Sequence, residues 1–138
     1  MSIADLNSLT ILVIDDEPFI RKLIGRMLSQ LGVKDVIEAE DGADGLEQIR
    51  QSRKNIDLVI CDMQMPNIDG FEFVRQLRAA KHLPHPDMPV LILTGHSDAD
   101  NLHDAVNLGI QGFLTKPVSK INLEKRITSA LTSPTIDP

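Results

Sequence analysis

Acidic, hydroxyl and ammonium side chains follow several apolar runs of this chain, each at the point where the run ends. The run VICD, for example, ends on an aspartate, and the full set is Asp15, Asp16, Asp62, Thr94 and Lys116. A carboxylate at the end of a buried run is costly unless something offsets its charge. These residue types at these places could together carry out chemistry on a phosphoryl group.

The three carboxylates are the centre of this hypothesis. Neighbouring carboxylates repel one another, so they favour a bound cation, and an all-oxygen set suits Mg²⁺, with Mn²⁺ as the alternative ion. A carboxylate beside such an ion can attack phosphorus. Lys116 and Thr94 could then neutralise or bind the phosphoryl oxygens. The set is complete for the formation of an aspartyl phosphate.

Each of the five residues also has a purely structural interpretation. Asp15 and Asp16 could cap the helix that follows them, and Asp62 could open a turn. Thr94 is a β-branched residue at a strand end, which needs no function. Lys116 could be a surface lysine. The placement of all five at the same end of four apolar runs favours a shared site.

The spacing of apolar residues predicts the elements that position this set. Predicted strands cover Thr10–Asp15, Val36–Ala39, Ile56–Cys61, Met88–Leu93 and Gly112–Leu114. Helical spacing follows each strand, over about 20–31, 43–49, 71–77, 102–108 and 123–131. Three strands are apolar throughout, as in a parallel sheet covered on both faces. We predict a doubly wound α/β fold with five helices, whose ligands bind at the carboxyl ends of the strands.

Composition limits the function classes. The 138 residues predict one domain, with a core over about 9–131 and short tails. A net charge of −6, with four phenylalanines as the only aromatic residues, argues against binding to nucleic acid or to an anionic membrane surface. The sequence shows neither a membrane-spanning run nor a signal peptide. The single cysteine, Cys61, lies in an apolar run, which indicates a core residue and fits a cytoplasmic protein.

The motifs together resemble the response-regulator receiver domain of two-component signalling, and are similar to the single-domain chemotaxis response regulator. The matching stretches are DD after the first strand, DMQMPNIDG after the third, LTG after the fourth and FLTKP after the fifth. The resemblance spans about Leu9 to Leu131 and implies a flavodoxin-like fold with strand order 2-1-3-4-5. It implies a phosphorylation-dependent switch with a histidine kinase or histidine phosphotransfer protein as donor and a downstream protein as target. A monomer or a weak phosphorylation-dependent dimer is implied.

The resemblance also implies roles for the residues around the acceptor. Asp62 matches the phosphorylated aspartate. Asp15 and Asp16 match the acidic pair that, with Asp62, holds Mg²⁺, and Gln64 matches the position that lends a backbone carbonyl to the metal. Gly70 matches the glycine in the loop after the acceptor strand.

Other positions match the family's switch and rate-modulating residues. Thr94 matches the hydroxyl residue that moves onto the phosphoryl group, and Lys116 matches the lysine that pairs with it and precedes a typically cis proline bond. Phe113 matches the aromatic residue that turns inward on activation, which would change a partner surface near residues 98–131. Gln64 and His96 match positions that help or hinder the water that removes the phosphoryl group, although His96 could simply be solvated.

Two other functions use the same residue types. A haloacid-dehalogenase-type phosphatase also uses aspartate, a hydroxyl, lysine and Mg²⁺, but its nucleophile is the first aspartate of a DxD motif on the first strand, where this chain has DD. A degenerate receiver would bind partners without phosphorylation, and the intact set argues against it. No output domain is evident after Leu131, so we expect output through a separate protein unless the chain is a fragment of a longer one.

Overall fold

The computed structural model describes residues 3–95 and 108–132 of the chain. Its five strands form one sheet in the order β2-β1-β3-β4-β5, and every neighbouring pair is parallel. The strands are Thr10–Ile14 (β1), Asp35–Ala39 (β2), Leu58–Asp62 (β3), Val90–Thr94 (β4) and Gly112–Thr115 (β5). The predicted fold class and strand order are therefore confirmed.

Four α-helices lie in the described part of the chain, after a short 3₁₀ helix at Ile3–Ser8. They are Pro18–Gln30 (α1), Gly42–Gln51 (α2), Gly70–Ala79 (α3) and Lys120–Thr132 (α4). They correspond to the first, second, third and fifth predicted helices. The fourth predicted helix, over 102–108, lies outside the described residues except for its last position. No helix in the described ranges is long and apolar enough to cross a membrane.

Strand ends differ from the prediction by one residue at the two acidic positions. β1 ends at Ile14, one residue before Asp15, whereas β3 extends through Asp62. The backbone N–H of Asp15 still bonds to Ala39 O at 3.2 Å, but its side chain accepts the N–H of Glu17 and turns the chain out of the sheet. Asp15 is therefore a turn residue, whereas Asp62 is the last residue of a strand.

The side chains of the sheet alternate between two apolar layers. On one face, α2 and α3 pack on β-strand residues that include Leu12 and Ile14. On the other face, α1 and α4 pack on residues that include Ile11 and Val13. All residues of β1, β3 and β4 are buried, as expected for strands covered on both sides. This arrangement leaves the carboxyl edge of the sheet as the place where polar side chains gather.

Candidate functional site

Asp62 lies at the carboxyl end of β3 and is held there by the loop that follows it. Met63 N donates to Leu93 O at 2.9 Å, and Gly70 N donates to Met63 O at 2.8 Å. A Cβ atom at Gly70 would lie 2.6 Å from Asp62 O, closer than real Cβ atoms approach. The loop therefore folds back onto β3 so tightly that only glycine fits at its end.

Three carboxylates meet at this edge. Oxygen atoms of Asp15, Asp16 and Asp62 lie within 4.8 Å of one another, with Asp15 and Asp62 buried and Asp16 exposed. The helix-cap interpretation of the acidic pair is wrong, because the N-cap of α1 is Glu17 and that residue makes no side-chain cap bond. Asp15 Oδ1 instead accepts the Glu17 N–H at 2.8 Å.

Lys116 connects the β5 end to this cluster. Its Nζ lies 3.1 Å from Asp62 Oδ1 and 3.4 Å from Asp15 Oδ2, with 21% of the side chain exposed. The backbone N–H of Lys116 donates to Thr94 O at 2.8 Å, and the Lys116–Pro117 bond is cis, as the resemblance implied. The lysine is therefore a half-buried member of the site and not a free surface residue.

Burial and charge shift the ionisation of this group. Burial raises the pKa of Asp62, the charge of Asp15 raises it further, and the hydrogen bond from Lys116 only partly opposes these effects. Burial alone lowers the pKa of Lys116, but the hydrogen bond to Asp62 and the charge of Asp15 outweigh it and leave the pKa raised. The raised pKa keeps the Lys116 ammonium charged beside the carboxylates of Asp15 and Asp62.

A cleft of about 340 Å³ opens over the cluster. Its lining residues are Glu17, Asp62, Met63, Gln64, Leu93, Thr94, Gly95 and Lys116. Thr94 is 8% exposed at the end of β4, and Gln64 is exposed at the mouth. The cleft thus brings together the predicted acceptor, hydroxyl, lysine and one rate-modulating position. The other, His96, lies outside the described residues.

The family model for the response regulator receiver domain matches residues 11–128. This chain belongs to that family. Receiver domains are the phosphoacceptor domains of two-component systems, and they bind Mg²⁺ at an acidic pocket. The family membership also implies interaction with histidine kinases or phosphotransfer proteins and with downstream targets.

Relatives of this receiver domain include regulators and solved structures. It is 38% identical over 121 residues to the transcriptional regulatory protein GlrR of Escherichia coli, covering 88% of this chain and 26% of that protein. The probable transcriptional regulator ycf27 of Porphyridium aerugineum is also 38% identical, with 47% of its length covered. The chain therefore spans less than half of these curated relatives.

Two solved structures match along nearly their whole length. The chemotaxis protein CheY4 of Vibrio cholerae is 29% identical with a TM-score of 0.80, over 89% of this chain and 98% of that one. A receiver domain from Clostridium thermocellum is 36% identical with a TM-score of 0.79, over 90% and 94%.

The acidic cluster of this receiver domain fits a divalent cation. Among the described residues, the one partner of the buried Asp15 Oδ2 is the Lys116 ammonium at 3.4 Å, which is long for a hydrogen bond. Three carboxylates against one ammonium leave net negative charge at the cluster, and all three offer the hard oxygen atoms that Mg²⁺ prefers. Asp15, Asp16 and Asp62 are therefore the residues that would hold such an ion.

Phe113, the predicted switch aromatic, lies on β5. Its partner on β4 is Ile92, which precedes Thr94 by two residues. The Phe113 side chain is half-buried and lines a groove of about 430 Å³ beside α4, together with Asn122, Lys125, Arg126 and Ser129. Thr94, which lines the cleft, pairs with Thr115, which lines this groove, so the two lie on neighbouring strands.

Sequence reasoning missed two residues. Glu17 lines the cleft next to the acidic pair, and the signal was present in the sequence as a third consecutive acid. Arg21 donates from Nη1 to Asp15 O at 2.7 Å, and no local pattern could have shown this contact.

Proposed function

We propose that this receiver domain is a phosphorylation-dependent switch whose acceptor is Asp62 and whose donor is a histidine kinase or a histidine phosphotransfer protein. The observation that carries this proposal is the contact of Lys116 Nζ with Asp62 Oδ1 at 3.1 Å, inside a cluster of three carboxylates. An acidic cluster with its own ammonium partner at the floor of a cleft is suited to receive a phosphoryl group.

The proposed transfer is a single displacement. A carboxylate oxygen of Asp62 attacks phosphorus, an O–P bond forms, and the P–N bond of the donor phosphohistidine breaks while its imidazole leaves. Asp15, Asp16 and the backbone carbonyl of Gln64 would hold Mg²⁺ with Asp62, and the bound ion would offset the negative charge that gathers on the phosphoryl oxygens. Lys116, already beside the acceptor, pairs with one of those oxygens.

The proposed readout starts at Thr94. Its hydroxyl moves toward the new phosphoryl oxygens, and the space that this movement leaves is taken by Phe113. The groove beside Phe113 and the surface near residues 98–131 then change shape, so a downstream protein binds the phosphorylated form with different affinity. Gln64 and His96 would set how fast water removes the phosphoryl group.

We further propose that the direct target of this domain is a protein. The domain itself would have at most slow self-dephosphorylation as an activity. The net charge of −6 supports a protein target over nucleic acid for the domain itself. The two curated relatives are regulators of transcription by name, and the matched part is 26% and 47% of their length.

The test is the intact mass of the protein after incubation with acetyl phosphate, with and without Mg²⁺. We expect one phosphoryl adduct that requires Mg²⁺ and is absent from Asp62→Asn. The matched control is Asp69→Asn, which removes the same charge from the adjacent loop while its side chain still accepts the Glu72 N–H that caps α3. This control should be labelled like the wild type.

Each competing function predicts a different result. A folded protein that takes up no phosphoryl group would be a degenerate receiver. An adduct that persists in Asp62→Asn and disappears in Asp15→Asn would place the nucleophile on the first strand, as in the phosphatase alternative.

A further inference from the structure

Arg21, in the first turn of α1, connects the acidic pair to the neighbouring strand. Its Nη1 donates to Asp15 O at 2.7 Å, and its Nε donates to Glu38 Oε1 at 2.9 Å. Only 15% of the Arg21 side chain is exposed. Glu38 lies on β2 opposite Val13 of β1, so the guanidinium bridges the end of the first strand and the edge strand of the sheet.

The carbonyl that Arg21 binds belongs to the peptide unit between the two acids. Because a peptide unit is planar, a bond that fixes this oxygen also fixes the direction in which the chain enters Asp16. Asp16 has no strand or helix to hold it, since it lies exposed in a bend between β1 and α1. The Arg21 contact is therefore a restraint on the position of the second carboxylate.

The remaining polar atoms of Asp15 are also restrained. Its N–H donates to Ala39 O, and its Oδ1 accepts the Glu17 N–H. Its own carbonyl is held by Arg21. Among the described residues, the remaining atom, Oδ2, is buried and contacts only the Lys116 ammonium, at 3.4 Å. Three polar atoms of Asp15 are thus fixed by hydrogen bonds, and the fourth is left to the Lys116 ammonium and to any bound cation.

We propose that Arg21 is a positioning residue for the metal site: its Nη1 donor holds the peptide between Asp15 and Asp16 in place, and the bond from its Nε to Glu38 anchors the guanidinium. This inference rests on the proposed Mg²⁺ site. Arginine suits this role because its planar group offers several donors in a fixed geometry, which the single ammonium of lysine cannot reproduce.

The sign of the effect separates positioning from simple electrostatics. The Arg21 guanidinium is a cation beside a site for a cation, so its charge alone opposes Mg²⁺ binding, and removing it would tighten binding. Loss of positioning would weaken binding instead. The two explanations therefore predict opposite changes in the same dissociation constant.

Lys22 provides a matched control for charge. Its Nζ lies 2.9 Å from Glu38 Oε2, so it contacts the same carboxylate as Arg21. Within the described residues it makes no hydrogen bond to Asp15. Arg21→Met and Lys22→Met thus remove one positive charge each from adjacent residues, and only the first removes the restraint on the acidic pair.

The experiment is the Mg²⁺ dissociation constant of the full chain by isothermal titration calorimetry, because the protein has no tryptophan or tyrosine to report binding by fluorescence. We expect Arg21→Met to weaken Mg²⁺ binding about 10-fold, as is typical when a group that orients a metal ligand is lost. Lys22→Met should bind as the wild type or slightly tighter. Arg21→Lys and Glu38→Met should both be intermediate, because each can keep only one of the two bonds.

Urea unfolding without Mg²⁺ is measured on the same variants. If Arg21→Met does not fold, Arg21→Lys carries the comparison, and wild-type affinity in that folded variant overturns the inference. Binding by folded Arg21→Met as tight as the wild type, with or without a loss of stability, also overturns it and leaves a structural role. A wild type that binds no Mg²⁺ would overturn the proposed metal site and this inference together, whereas equal binding by all variants would overturn this inference alone.

Discussion

At the scale of single residues, Asp62 combines burial with like charge, and this has a cost for the metal-free fold. Its pKa is raised above the ordinary value of 3.8 by burial and by Asp15. The folded state therefore binds more protons than the unfolded state between these two values, and stability falls as the pH rises through that window. Above the window, ionised Asp62 destabilises the protein until a cation is bound.

We therefore expect Asp62→Asn to be more stable than the wild type at neutral pH without Mg²⁺, with a Tm higher by about 2–5 °C. The difference should close as the pH falls toward 3.8, because the folded wild-type carboxyl, whose pKa is raised, gains its proton above that value. Thermal unfolding followed by circular dichroism in chelator measures both effects. Asp69→Asn is the control and should show no such gain; a lower Tm for Asp62→Asn at pH 7 would contradict the argument.

Gly70 is the second residue whose type the site requires. A Cβ atom there would meet Asp62 O at 2.6 Å and Met63 Cα at 3.0 Å, so β3 or the loop after it would have to move. We expect Gly70→Ala to lose about 1–3 kcal/mol of unfolding free energy and to slow phosphoryl uptake. Urea unfolding and the rate of adduct formation measure these two effects.

Gly25 gives the matched control for Gly70. It lies inside α1, and an added Cβ would make only ordinary contact, 3.7 Å from Val36 Cγ1. Gly25→Ala should therefore stabilise the protein by about 0.5–1 kcal/mol through helix propensity. Equal behaviour of the two alanine variants would show that the close approach at Gly70 is relaxed at little cost.

At the scale of elements, Arg78 connects the end of α3 by hydrogen bonds to the two segments that precede β4 and β5. Its Nη1 donates to Pro86 O and Met88 O, both at 2.8 Å, and its Nη2 donates to Gly109 O at 3.0 Å. Burial lowers the pKa of this guanidinium, and Asp87 partly offsets the effect. One side chain thus satisfies three carbonyls before β4 and β5.

We expect Arg78→Met to lose roughly 2–3 kcal/mol of unfolding free energy, because it leaves partly buried carbonyls without donors. The control is Arg75→Met, which removes an exposed ion pair with Glu72 on the same helix and should change stability by less than about 0.5 kcal/mol. Urea unfolding measures both. Since Arg78 lies outside the cleft, its folded variant should still be phosphorylated; similar losses in the two variants would show that the three bonds contribute little.

At the scale of the whole molecule, the fold and most of the site were predictable because the same sequence pattern indicates both the strands and the residues at their ends. Apolar runs that end in polar residues define buried parallel strands, and the rule that ligands bind at their carboxyl ends then gathers Asp15, Asp62 and Lys116. The contact of Arg21 with Asp15 O was not predictable. It depends on how the first turn of α1 meets β2, which is a tertiary relation without a local pattern.

The same whole-molecule view predicts how Mg²⁺ acts on stability. The proposed Mg²⁺ site exists only when the ends of β1 and β3 are assembled, so the ion should stabilise the folded state by about 2.7 kcal/mol at 100 times its dissociation constant. A chain of net charge −6 is also stabilised when salt screens its charge repulsion, so the Tm in Mg²⁺ is compared with that in NaCl at equal ionic strength.

Asp15→Asn should lose most of the Mg²⁺-specific rise in Tm because it removes a proposed ligand. Asp41→Asn removes the same charge while keeping the cap of α2 and should retain the rise. An equal rise in both variants would mean that Mg²⁺ acts through general screening and not through the cluster.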